Sequence, residues 1–117
     1  MSSGTPGPSP LKPIEVSVLL VLAEREDYGY RIVKRIAAPD AGGIGLAPSN
    51  LYSVLDRMID AGWVEDLGTR KEGTRPVRRY YGITTEGRQV VASEARRMRS
   101  MVDSAARLSL LPEAPGA

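Results

Sequence analysis

Residues 48–84 read PSNLYSVLDRMIDAGWVEDLGTRKEGTRPVRRYYGIT, and the stretch changes period part-way along. From Pro48 to Gly62, Leu51, Val54, Leu55, Met58 and Ile59 recur at i, i+3, i+4, i+7 and i+8, the stripe of an amphipathic helix. Pro48 opens that helix and Gly62 stands just past its end, as the two termini prefer. Opposite the stripe lie Ser49, Asn50, Ser53, Asp56, Arg57 and Asp60. The small polar side chains occupy the first half and the two aspartates the second. From Trp63 the period becomes two. Trp63, Glu65 and Leu67 alternate with Val64 and Asp66, and Arg79, Tyr81 and Ile83 alternate with Arg78, Tyr80 and Gly82. The charged, Gly-containing connector RKEGTR joins these runs as the tip of a hairpin.

Working outward, PIEVSVLLVLAERE (13–26) opens on Pro13 and is apolar without a break from Val18 to Ala23. It reads as a helix that must be covered on more than one side, which points to a partner subunit. Asp27 caps a second helix from Tyr28 to about Ala38, with Tyr28, Ile32 and Ile36 toward the core. Tyr30, Arg31 and Lys34 lie off that face and are assigned to phosphate contact. APDAGGIGL then reads as a loop with a short strand near Ile44–Leu46; its glycines match no phosphate-binding spacing. After the hairpin, Thr84 caps a long helix from Thr85 to about Leu108, with Glu86 at its positive end. Val91, Ala95, Met98, Val102 and Ala105 repeat at 4-3-4-3 spacing and Met101 widens the stripe, the seam of a helix pair. Residues 1–11 and 110–117 read as a disordered and a flexible tail. The winged region then spans 12–84 and the last helix 85–109.

Composition excludes several functions. The 117 residues make one domain with an added element. With no Cys and no His there is no disulfide, no thiol nucleophile, no zinc site and no imidazole base, so neither a metal nor a cofactor is expected and an enzyme is disfavoured. Asp56 and Asp60 form a lone i, i+4 carboxylate pair of the kind that is usually solvated. No apolar run approaches the ~20 residues of a membrane span. The N-terminus lacks the charged and apolar regions of a signal peptide. These features imply a soluble cytoplasmic protein. Net charge is only +2. Residues 69–79 nevertheless hold five Lys or Arg (Arg70, Lys71, Arg75, Arg78, Arg79) against Glu72, a balance of +4. A basic segment on a near-neutral body suggests polyanion contact at one place.

The order helix, helix, helix, hairpin, long helix is that of a winged helix-turn-helix with an added C-terminal dimerisation helix: mainly α with a small β-hairpin. Such a body suits double-stranded DNA. Small side chains at Ser49, Asn50 and Ser53 let the third helix sink into the major groove, where Asn50 can pair with adenine. Tyr52 either reaches a phosphate or packs at the helix edge, and Arg57 extends the contact face. The wing cations meet phosphates or the minor groove, while Tyr81 and Ile83 anchor the ribbon to the core.

PSNLYSVLDRMIDAGWVED followed by GTRPVRRYYGITTEGR resembles the PadR family of bacterial transcriptional regulators. The matching pieces are LY-x-x-L-x-x-(M/L)-x-x-x-G, the basic wing ending YY-x-(L/I)-T, the T-x-E-G-R opening of the last helix, and the GY of YGYRI. Two positions depart: Ala47 stands where the family often has a capping Ser, at a cost of about 1 kcal/mol, and Tyr28 where it has His. The resemblance covers about residues 13–105. It implies a homodimeric winged-helix regulator, usually a repressor, acting on a palindromic operator. The last helix would pair with its mate and with the partner's first helix, through Val18, Leu19, Val91, Ala95, Met98, Met101, Val102 and Ala105. Some short members take a small aromatic effector at the dimer interface, although the last helix here carries no aromatic residue. Two rivals stay open beside this reading: a winged-helix protein–protein module that never touches DNA, and a drug or phenolic sensor whose main trait is an interface pocket.

Overall fold

A computed structural model describes residues 11–112. Apart from Leu11 and residues 110–112, the expected tails lie outside the described residues. The elements run α1 (Pro13–Glu24), β1 (Asp27–Tyr28), α2 (Gly29–Ile36), a 3-10 turn (Pro39–Ala41), α3 (Pro48–Asp60), β2 (Val64–Arg70), β3 (Arg78–Ile83) and α4 (Thr85–Arg107). The winged helix-turn-helix with a long C-terminal helix is therefore present. Its sheet has three strands in the order β1-β3-β2, all antiparallel, so β3 is central rather than one arm of a two-stranded hairpin.

The chain itself covers the apolar helix α1. Val16, Val18, Leu19, Val21 and Leu22 are buried, with Val18 and Leu19 at 0% exposure, and α1 packs on α2, α3, β3 and α4. This corrects the assignment of Val18 and Leu19 to a dimer interface, since each already has its surface covered within one protomer. Leu20, at 43%, is the large apolar residue that α1 leaves outside. Leu11 also leaves the expected tail. It is buried, and its N–H donates to Glu94 on α4 (3.2 Å). Arg97 grips both oxygens of that same carboxylate at 2.8 Å. These donors, Arg97 foremost, hold Glu94 below the usual carboxylate range despite its burial.

Asp27 does not cap α2, whose N-cap is Tyr28 without a side-chain bond. Asp27 is 2% exposed, accepts from the Tyr28 N–H (3.0 Å) and receives Arg35 (3.2 Å). Arg35 in turn donates to the Val21 carbonyl and to Glu24, which ties α2 to the end of α1. Buried carboxylates persist only when paired in this way. With Asp27 in a strand, Tyr28 leaves the α2 core face and lies beside Tyr80; Ile32 and Ile36 fill that face, with Val33 packed at its edge. The strand expected at Ile44–Leu46 is an irregular loop.

Helix α3 buries Leu51, Val54, Leu55 and Met58, with Ile59 partly covered. Its end is a Schellman turn: Gly62 (φ 84°) donates to Ile59 and Trp63 to Met58. Strict alternation in β2 is broken by a bulge. Asp66 faces Tyr81 and Gly68 (φ 82°) faces Tyr80, leaving Leu67 as the extra residue. Thr84 caps α4 by accepting from Gly87 (2.9 Å), and its own hydroxyl donates to the Gly62 carbonyl (2.6 Å). One threonine thus joins the end of α3, the end of β3 and the start of α4.

Candidate nucleic-acid interface

The N-terminal half of α3 presents Ser49, Asn50 and Ser53 outward, all exposed, with Tyr52 and Arg57 beside them. Tyr52 is half-exposed, and its ring rests on the first residue of α2. A Cβ at Gly29 would lie 2.8 Å from the Tyr52 hydroxyl oxygen. Glycine at the start of α2 is what allows this approach. Packing at the helix edge is therefore real for Tyr52, and its hydroxyl stays at the α2–α3 junction. Asp56 and Asp60 are exposed in the C-terminal half, where they repel a polyanion. The exposed ridge of small polar side chains is Ser49, Asn50 and Ser53.

On α2, the Lys34 ammonium sits 4.6 Å from the ring centre of Tyr30, which is 47% exposed. Arg31 is 3.8 Å from Asp27 and lies over the Tyr28 ring at 5.1 Å. Tyr30 and Lys34 thus form an outward cation–aromatic pair, whereas Arg31 turns back toward β1.

The five wing cations divide into three groups. Arg79 donates to both oxygens of Asp66 (2.9 and 3.0 Å), and Arg70 pairs with Glu26 while stacked on Tyr80 at 4.6 Å. The Gly68 N–H, and then Arg79, hold Asp66 below the usual carboxylate range. Arg75 has only Glu72, at 4.0 Å. Among the described residues, Lys71 and Arg78 have no carboxylate at ion-pair distance; Arg78 lies over the Tyr28 ring at 5.1 Å. The local balance of +4 is therefore partly answered by Glu26 and Asp66, which lie outside the basic segment. The cations least committed within the chain are Lys71, Arg75 and Arg78.

Several site residues have no signature in the sequence. Tyr28 and Tyr80 meet edge to face (5.6 Å, 68°) behind the wing. With Arg31, Arg70, Glu72, Arg75 and Arg78 they enclose a cavity of about 260 Å³. The Tyr80 hydroxyl donates to Glu72 (3.0 Å), which holds it above the ordinary phenol range. The YY pair signals only that one tyrosine faces each way; the pairing of Tyr28 with Tyr80 comes from β1.

On α4, Val91 belongs to the protomer core. Ala95, Met98, Met101 and Val102 are exposed, the last two by more than half, and Ala105 is partly covered. The heptad seam therefore starts in the core and emerges unpartnered along the outer half of the helix. Among the described residues, no helix is long and apolar enough to cross a membrane, and no group of three acidic residues could hold a metal ion.

A helix-turn-helix pair with a basic three-stranded wing defines a winged-helix protein. The chain belongs to the PadR-like family of transcriptional regulators, whose model matches residues 18–93. No curated protein matches it. Among solved structures, a PadR family transcription regulator from Clostridium difficile is similar at TM-score 0.70 and 20% identity, over 83% of this chain and 98% of that one. A PadR family regulator from Eggerthella lenta is similar at TM-score 0.62 and 28% identity, over 82% and 83%. Bacillus subtilis PadR in complex with operator DNA is similar at TM-score 0.61 and 22% identity, over 73% of this chain. The match spans about half (47%) of that longer protein.

Proposed function

We propose that this chain is a DNA-binding transcriptional regulator, a repressor acting as a homodimer on an inverted-repeat operator. The observation that carries this reading is the open ridge Ser49, Asn50 and Ser53 on α3, followed in the chain by a wing whose Lys71, Arg75 and Arg78 are weakly committed within the protein. Small side chains admit the α3 backbone to a major groove, and the wing cations supply phosphate contacts. Lys34 and Tyr30 add a contact from α2. The similarity to a regulator solved on operator DNA supports the same docking. Dimerisation is read from the outer half of α4, where Met98, Met101 and Val102 lie exposed along one stripe. A small aromatic effector seated at that interface would act by changing the spacing between the two copies of α3.

Selection of duplexes from a random pool tests the proposal. Two half-sites about one helical turn apart, or a small multiple of that, are expected. Asn50→Ala should weaken the selected site by about 5–100-fold, as the loss of one base contact implies, with little effect on random duplex. Arg78→Ala should weaken both alike and reduce the salt slope by about one for each protomer in contact. Equal losses on both DNAs for Asn50→Ala remove Asn50 from base reading.

A further inference from the structure

We infer that the cavity at the root of the wing is a phosphate seat, whose one carboxylate neighbour in the free protein, Glu72, an incoming phosphate group displaces. Four guanidinium groups, Arg31, Arg70, Arg75 and Arg78, converge on this one cavity. Arg31 is answered by Asp27 and Arg70 by Glu26. Arg75 has only Glu72, at 4.0 Å, and Arg78 has no carboxylate at ion-pair distance among the described residues. Positive charge therefore exceeds negative charge inside the cavity, and the one carboxylate lining it is Glu72.

Glu72 is a weak occupant. It holds one hydrogen bond, from the Tyr80 hydroxyl, and its side chain is 59% exposed. An exposed pair of that length contributes little. A phosphate offers more charge and several acceptor oxygens, and guanidinium forks match it in bidentate fashion. The seat is also preorganised. Arg70 is stacked on Tyr80, and both Arg31 and Arg78 lie over Tyr28. Less side-chain freedom is lost when these groups bind than for free surface arginines. Tyr80, held as a donor above the ordinary phenol range, can turn its proton from Glu72 to the newcomer.

The phosphate comes either from a DNA backbone, which rests on the function proposed above, or from a free phosphate or phosphomonoester. Binding of random duplex and titration with inorganic phosphate at fixed ionic strength, on the full chain, separate these sources. Glu72→Gln is compared with Glu65→Gln, which removes the same charge from the adjoining strand. Glu72→Gln should tighten inorganic phosphate about 3–10-fold and steepen the duplex salt slope by about one for each protomer in contact, with Glu65→Gln near wild type. Arg75→Ala combined with Arg78→Ala should abolish the phosphate response. Competition between phosphate and duplex assigns the seat to the DNA backbone, whereas phosphate binding undiminished on duplex-bound protein assigns it to a free ligand. If no variant binds duplex but Glu72→Gln still tightens phosphate, the DNA reading falls and the seat stands. Equal effects of Glu72→Gln and Glu65→Gln on duplex, with no change toward phosphate, overturn the seat and leave the DNA reading intact.

Discussion

Adding one methyl group at Gly87 is expected to lower the unfolding free energy by about 1–3 kcal/mol, the range of overpacking in a closed site, and the melting midpoint by about 4–12 °C at fixed protein concentration. An ideal Cβ there would lie 2.2 Å from the Trp63 carbonyl oxygen and 2.8 Å from the Ile83 side chain. The carbonyl cannot swing aside freely, because it accepts the Thr84 N–H that joins β3 to α4 (3.0 Å). Alanine gains about 1 kcal/mol of helix propensity over glycine, so the clash must exceed that gain for the variant to lose stability. A backbone atom at 2.2 Å makes it do so. Gly45→Ala is the matched control, with nothing within 4 Å of its added carbon, and should change stability by less than about 0.5 kcal/mol. Thermal or urea unfolding decides the point. A Gly87→Ala protein as stable as wild type means that the junction of Trp63, Thr84 and Gly87 is slack.

The second large effect is expected from Met101→Glu combined with Val102→Glu. Both residues are more than half exposed in the protomer, so the charges cost its own core nothing. In a pair of α4 helices they would sit in the seam, where unpaired carboxylates are expensive to bury. Sedimentation should change from dimer to monomer while helical content stays the same. Affinity for the selected operator should fall at least about 100-fold, because the second half-site becomes a separate bimolecular event. A variant that stays dimeric and keeps wild-type affinity places the interface elsewhere, with the exposed Leu108, Leu110 and Leu111 beyond α4 the next surface to examine.

The parts of this fold legible in the sequence are those set by local period and local chemistry. The i, i+3, i+4 stripe of α3, its Gly62 end, the Thr84 cap and the inward pair Tyr81 and Ile83 all follow from neighbours close in the chain. What could not be read depends on distant partners. A two-residue strand has no period, so β1 leaves no trace in the sequence, and an aspartate before a helix reads as a cap, its commonest use there. The real role of Asp27, a buried pair with Arg35, is fixed by where α1 ends. An apolar run such as Val18 to Ala23 reads as interface because one chain seldom hides a helix apolar nearly all round, yet here three helices and a strand pack on α1. The wing cations looked equivalent as a charge sum. Arg70 meets Glu26 across 44 positions of sequence, and Arg79 meets Asp66 beside a bulge that no alternation pattern shows.

The central claim is that the α3 ridge and the wing bind duplex DNA. Affinity for random duplex measured from low to physiological salt tests it most directly. Four weakly committed cations per protomer, Lys34, Lys71, Arg75 and Arg78, doubled in a dimer, predict a linear fall of log affinity against log salt with a slope of about −3 to −7. Negligible duplex binding at low salt, unchanged as salt rises, would contradict the account and return the chain to the class of winged-helix protein–protein modules.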